Sequence, residues 1–207
     1  MGVFNETARS EAMIVGMSGT NGAGKDTGAD YLVKNHGFMH VSTGEILKAE
    51  ADRLGMGKDR PTLINIGIDL RKQYESVGAL VIMGIEEWAE QRRDYPGGLV
   101  ISGMRVVGEA QEVKDQNGIL TYVTAPRAIR RHRIVKRNRD AEVNQTYRQF
   151  RNQDLTEING TGDPNRPHLH AVKGIADIVL WNINKQYFLK QFTHALFEAS
   201  ADTCRAL

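Results

Sequence analysis

Between positions 19 and 27 the chain reads Gly-Thr-Asn-Gly-Ala-Gly-Lys-Asp-Thr, directly after the apolar run Ala12–Met17 and Ser18. Few sequence features restrict a fold as much. Glycine at 19, 22 and 24 lets backbone N–H groups turn inward around an anion, where side chains would obstruct them. A helix starting near Thr27 adds the partial positive charge of its N-terminus. Lys25 supplies a point charge. A glycine-rich hairpin would need neither the lysine nor the helix, and here strand, loop, lysine and helix occur in that order. The segment is therefore read as a polyphosphate cradle made by Gly19, Asn21, Gly22, Ala23, Gly24, Lys25, Asp26 and Thr27, with Mg²⁺ as the implied metal, a pattern that alone does not distinguish a kinase from an NTPase switch or motor. A hydroxyl normally follows such a lysine and holds the metal. Here Asp26 follows, and the hydroxyl arrives one place later, so Thr27 is taken as the metal ligand.

The remaining sequence alternates short apolar runs with longer amphipathic ones. Strands are expected at Ala12–Met17, Phe38–Val41, Leu99–Ser102, Ile119–Thr124 and Ile175–Leu180. Helices are expected over Thr27–Asn35, Gly44–Leu54, Thr62–Tyr74, Gly78–Arg93, Val107–Gln116, Ala128–Arg139, Tyr147–Ile158 and Asn184–Ala199. Five strands separated by helices predict an α/β fold, a three-layer α/β/α sandwich on a five-stranded parallel sheet. Ligands then bind at the carboxyl ends of the strands, which hold the glycine-rich loop, Thr43 and Arg105. With 207 residues, 41% of them hydrophobic, the chain suits a single domain with a full core.

Composition narrows the function classes. The single cysteine, Cys204, excludes an intrachain disulfide framework and fits a reducing cytoplasm. Residues 1–11 lack the features of a signal peptide and are read as a loose leader. No apolar run reaches the roughly 20 residues that span a bilayer. A net charge of +2 does not advertise a nucleic-acid partner. The charge is uneven, however: residues 127–139 carry seven Arg or Lys. No aromatic residue interrupts that run, so it serves base stacking poorly.

Several segments in order resemble nucleoside monophosphate kinases. The form G-x-x-G-x-G-K-x-T at 19–27 is similar to that of adenylate kinase. Val41-Ser42-Thr43-Gly44-Glu45-Ile46-Leu47-Lys48 resembles the segment S-T-G-D-x-L-R that holds the acceptor nucleotide in that family. The resemblance puts Thr43 and Gly44 by the acceptor base, and Lys48 where an arginine grips the acceptor phosphate. Lysine keeps the charge there but loses the bidentate fork. Leu99–Arg105 resembles a strand end followed by the arginine that bridges the acceptor phosphate, with Ser102 in place of the usual acid. Arg133 and Arg137, four apart on one helical face, resemble the start of a lid that stabilises the transferring phosphoryl group. Ala176–Leu180 with Asn182 is similar to the ending of deoxynucleotide and dephospho-coenzyme A kinases, which lies by the donor adenine. Gly24–Leu32 is especially like phage-type deoxynucleoside monophosphate kinases.

The resemblance implies an ATP-dependent phosphotransferase of this family, with an acceptor region over about 43–93 and a lid over about 133–173. Lys25, Arg105, Arg133 and Arg137 are the implied catalytic residues. Thr43, Gly44, Lys48, Arg71 and Arg105 are the implied acceptor-binding residues. The implied partner is a small nucleoside monophosphate, with no membrane and no nucleic acid, in a cytoplasmic monomer or homodimer. Dephospho-coenzyme A kinase is an alternative, with Asp26 or Asp30 as base, and so is a nucleotide-dependent regulator without a small acceptor. Lys48 and Arg71 can equally be surface residues. Asp154 and Glu157, three apart on a helix, could organise a metal or a sugar hydroxyl but are read as a solvated face, and Arg130 and Arg131 as surface charges. His168 and His170 are read as loop residues, Asp163-Pro164-Asn165 as a turn or hinge, and Trp88 and Trp181 as core or subunit contacts.

Overall fold

A computed structural model describes residues 13–137 and 145–205. The leader over 1–11 and Arg139 lie outside them. Five strands form one sheet: β1 (Met13–Gly19), β2 (Phe38–Ser42), β3 (Gly98–Ser102), β4 (Ile119–Thr124) and β5 (Ile178–Trp181). Their order is β2-β3-β1-β4-β5, and all the pairings are parallel. This is the expected sheet. All five residues of β3 are buried, as a strand covered on both faces requires, which is why its sequence is a continuous apolar run rather than an alternation.

The helices are α1 (Lys25–His36), α2 (Thr43–Arg53), α3 (Arg60–Gln73), α4 (Ala79–Gln91), α5 (Val107–Asp115), α6 (Arg127–Arg137), α7 (Tyr147–Asn159), α8 (Leu169–Gly174) and α9 (Lys185–Arg205). On one face of the sheet, Leu32 of α1 and Phe188, Phe192 and Leu196 of α9 pack against Val15, Met17, Val100 and Val123. On the other face, Val81 and Trp88 of α4, Ala110 and Val113 of α5, and Leu169 and Val172 of α8 meet Leu99, Ile101 and Leu120. A smaller cluster of Ala51, Ile66, Leu70 and Leu80 ties α2, α3 and α4 into an arm beside the β2 edge. The three-layer sandwich is thus present.

Three differences from expectation have local causes. The last strand starts at Ile178 rather than Ile175, because Asp177 Oδ2 accepts from the Leu120 N–H at 2.8 Å and ends the preceding turn. His170, read from sequence as a loop residue, lies in α8, whose buried residues are Leu169 and Val172. Trp88 is core, one of the two roles expected of it, whereas Trp181 is exposed and so is not a core residue. β5 is an edge strand, and among the described residues no helix covers its outward residues, Val179 and Trp181.

The largest correction concerns α6 and α7. Asp154 is buried and binds Arg130 through both of its oxygens, at 2.6 and 2.8 Å, and Arg127 Nε at 3.0 Å. Arg130 is 3% exposed, so it is not a surface charge, and Asp154 is not on a solvated face. Removing one partner of such a buried pair leaves the other uncompensated. Asp154→Ala is therefore expected to destabilise the protein by about 3–5 kcal/mol in denaturant melts, while an exposed control, Lys72→Ala, changes little.

Candidate functional site

The glycine-rich loop leaves β1 at Gly19 and enters α1 at Lys25. Gly19, Gly22 and Gly24 have φ of 139°, 76° and 97°, values that L side chains rarely adopt. Space is as restrictive as torsion. A Cβ at Gly19 would run into the Val123 carbonyl, and one at Gly24 into the Asn182 amide. The loop therefore closes against β4 and β5 through bare backbone. Asn182 Nδ2 donates to Ala23 O at 2.8 Å, and Asn182 N–H to Thr124 O at 2.8 Å.

Helix α6 lies along the loop. Arg130 reaches Asn21 O at 3.2 Å, Arg133 reaches Ala23 O at 3.2 Å and Asn182 Oδ1 at 3.3 Å, and Arg137 reaches Asn21 Oδ1 at 3.1 Å. The two arginines expected in the lid thus stand against the loop itself. Lys25 is 7% exposed, with Nζ 3.5 Å from Thr20 O. Burial pushes its ammonium down to about 8; Arg105 and Arg137 push the same way, and Asp26 and Glu157 oppose them. Lys25, Arg105, Arg137, Asp26 and Glu157 therefore share one electrostatic neighbourhood.

Asp26 and Thr27 follow Lys25 in the first turn of α1. A Cβ at Gly24 would stand 3.7 Å from Thr27 Oγ1, on the side of Asn182 and β5. Asp26 Oδ1 lies 3.4 Å from Ser102 Oγ at the end of β3. Ser102 Oγ is also 2.9 Å from His40 Nε2, and burial holds His40 below its ordinary pKa. The carboxylate that Ser102 does not provide at the end of β3 is thus supplied from α1 by Asp26. Among the described residues no three His, Cys, Asp or Glu gather into a metal site, His168 and His170 included. Any metal here would share its coordination with nucleotide phosphates. The oxygen donors of Asp26, Thr27 and Ser102 suit a hard cation such as Mg²⁺.

On the β2 and β3 side, Thr43 is buried at the start of α2, against the open face of Gly103. Gly44 follows it in the first turn. Lys48 pairs with Glu45 of its own helix at 2.6 Å. Arg71 is 7% exposed; its guanidinium binds Glu109 and donates to Asn165 O at 3.2 Å. Glu109 also accepts from the Arg105 N–H at 3.1 Å. Arg71 is thus committed to shaping the turn that carries Arg105. Arg105 itself binds Glu157 of α7, which also binds Arg60 of α3. Glu157 is buried, so its reading as a solvated face is corrected as well.

Sequence reasoning did not single out Arg60, and it set Glu157 aside as part of a solvated face. One signal was available for Glu157: Phe150, Asp154 and Glu157 recur at helical spacing and form the buried side of α7.

A glycine cradle at the N-terminus of a helix, a buried lysine and a crevice at the strand ends make this a P-loop, kinase-like nucleotide-binding protein. The family model described as an AAA domain matches residues 18–148, and the chain belongs to that family. A UPF0200 protein of Pyrobaculum aerophilum is 26% identical over 147 residues, covering 70% of this chain and 77% of that one. An adenylate kinase of Synechococcus is 33% identical over 86 residues, 41% of this chain and 42% of that one. Shikimate kinase from Acinetobacter baumannii, solved in complex with shikimate, shares the fold with a TM-score of 0.59 at 14% identity, over 96% of this chain and 98% of that chain. Among the described residues no helix is long and apolar enough to cross a membrane.

The low pKa of Lys25 has a measurable consequence. Polyphosphate favours the charged lysine, so binding near pH 8–9 draws a proton onto Lys25. ATP affinity is expected to be flat up to about pH 8 and to fall above it. Calorimetry at pH 8.5 in two buffers of different ionisation enthalpy should register this proton uptake, and Lys25→Met should abolish it.

Proposed function

We propose that the protein transfers the γ-phosphoryl group of ATP to the phosphate of a nucleoside or deoxynucleoside monophosphate. The observation that carries this reading is that β1 and β3 are parallel neighbours, so that the loop lysine after β1 and Arg105 after β3 stand at the same end of the sheet. Two sets of cationic groups thereby face one crevice, one for a donor phosphate and one for an acceptor phosphate.

An acceptor phosphate oxygen attacks the γ-phosphorus, and the bond to the β,γ-bridging oxygen breaks. The products are ADP and a nucleoside diphosphate. The attacking phosphate is already ionised at neutral pH, so no base is needed, and catalysis is alignment plus charge neutralisation. The loop N–H groups and Lys25 hold the donor. Arg133 and Arg137 neutralise charge on the transferring group, and Arg105 aligns the acceptor. Thr43 and Gly44 border the acceptor side, with Lys48 at its rim. Asp26 and Thr27 would hold Mg²⁺, which when bound draws charge from the β- and γ-phosphates.

A second reading, phosphorylation of a hydroxyl as in dephospho-coenzyme A kinase, is favoured by one observation. Asp26 lies beside Ser102 on the acceptor side, where a carboxylate could take a hydroxyl proton.

ADP formation from Mg-ATP, measured against a panel of ribo- and deoxynucleoside monophosphates and dephospho-coenzyme A, separates the two. Saturable turnover with a monophosphate supports the first reading, and turnover with dephospho-coenzyme A alone replaces it with the second. Lys25→Ala is expected to abolish turnover with every acceptor. Arg105→Ala is expected to raise the acceptor KM while leaving ATP binding intact; equal loss of ATP binding would reject its role. Asp26→Asn is expected to weaken the Mg²⁺-dependence of ATP binding by roughly tenfold or more, read by calorimetry without acceptor. Unchanged Mg²⁺-dependence together with lost turnover would make Asp26 a base.

A further inference from the structure

Glu157 makes the least expected contact in the crevice. One of its carboxylate oxygens takes the guanidinium of Arg60, and the other takes that of Arg105. Gln153 Nε2 adds a hydrogen bond at 3.2 Å. Three separate elements meet there: the first residue of α3, the turn after β3 and the last turn of α7. We propose that Glu157 stands where the acceptor's phosphate binds, and that Arg60 and Arg105 are the two halves of the clamp that the phosphate takes over. The proposal rests on the phosphate-acceptor reading above.

Helix electrostatics support it. Arg60 is a cation at a helix N-terminus, and Glu157 is an anion in a last helical turn. Each charge stands at the end of its helix where the macrodipole opposes it. Neither helix gains from its charged residue, so the bridge is explained by the pairing and not by the stability of α3 or α7.

Exposure points the same way. The Glu157 side chain is 8% exposed, whereas Arg60 is 32% and Arg105 is 23% exposed. The carboxylate approaches from the protein side, and the guanidinium groups remain reachable from the crevice. A phosphate dianion carries more charge and more acceptor oxygens than a carboxylate, and arginine forks suit it at least as well. The bridge is also close enough to Lys25 for both Arg105 and Glu157 to act on the lysine's charge. A bound polyphosphate adds negative charge to the same space and weakens the hold on Glu157, so donor binding prepares the exchange.

The exchange need not undock α7. Asp154, one turn earlier, fastens that helix to α6 through Arg127 and Arg130. Losing the Glu157 contacts leaves this brace in place.

The test is phosphate binding with the loop filled by Mg-ADP, so that inorganic phosphate cannot use the donor site. Glu157→Gln removes the carboxylate charge that holds the two guanidinium groups without changing side-chain size. It is expected to tighten phosphate binding by about tenfold or more, the scale of charge-assisted hydrogen bonds, read by calorimetry or by the phosphate-induced shift in Tm. Adding Arg60→Met should remove that gain, and Arg60→Lys should restore part of it. In turnover, Arg60→Met alone should raise the acceptor KM with the ATP KM unchanged. Unchanged phosphate affinity in Glu157→Gln overturns the proposal, as does a gain that survives Arg60→Met. If Glu157→Gln lowers Tm and phosphate does not restore it, the bridge is structural and the proposal also falls. An Arg60-dependent gain with silence across the monophosphate panel would keep the anion site and reject the proposed reaction. Brisk turnover with no gain would do the reverse.

Discussion

Gathering many cations around one small loop is unfavourable unless anions are interleaved among them, and this constraint organises the region around the glycine cradle. Burial lowers the pKa of Lys25 most, and Arg105 and Arg137 push it the same way. Three buried carboxylates answer the gathering of cations. Asp154 neutralises Arg127 and Arg130 and joins α6 to α7. Glu109 neutralises Arg71 and holds the Arg105 turn. Glu157 neutralises Arg60 and Arg105. The first two pairings include arginines buried as deeply as their acids, which fits permanent structure. In the third, the arginines are more open than the carboxylate, which fits a pairing that can be exchanged.

Strand order gives the crevice a direction. β1 is central, with β3 and β2 on one side and β4 and β5 on the other. Asn182 and Arg133 close the loop from the β5 side. Ser102, Thr43 and Arg105 stand on the β3 side, where Asp26 points. Asp26, in the first turn of α1, thus brings a carboxylate to the serine that ends β3. The one-place shift of the hydroxyl relative to the lysine therefore has a spatial meaning. It leaves a carboxylate facing the half where β3 ends in serine.

What could be read from the sequence divides by the range of the interaction that produces it. The loop was legible because its glycines, lysine and helix start lie within nine residues and their roles are local. The five buried strands were legible because burial on both faces writes continuous apolar runs. Glu157 was not legible as a site residue, since its partners lie 52 and 97 residues away. Nor was Arg130, whose acid lies 24 residues further along the chain. From local spacing alone, charges three apart on a helix look solvated. Only the stripe of Phe150, Asp154 and Glu157 hinted that these acids share a face with a core residue. Helix α8 escaped notice because its six residues are too few to establish a periodicity.

The same long-range view bears on the lysine at position 48. Where the resembled kinases carry an arginine, this chain has Lys48, tied to Glu45 on its own helix and unable to form a planar fork. Arg60 begins the next helix and aims its guanidinium at the carboxylate that also holds Arg105. On the proposed reading, the fork that grips an acceptor phosphate has moved from α2 to α3, and Lys48 contributes charge at the rim. Such a move would also change what opens the site. An arginine on α2 would be free to meet a phosphate on arrival, whereas Arg60 meets it only as Glu157 lets go. Acceptor binding would then be coupled to the packing of α7, and through Asp154 and Arg130 to the helix that lies along the phosphate loop.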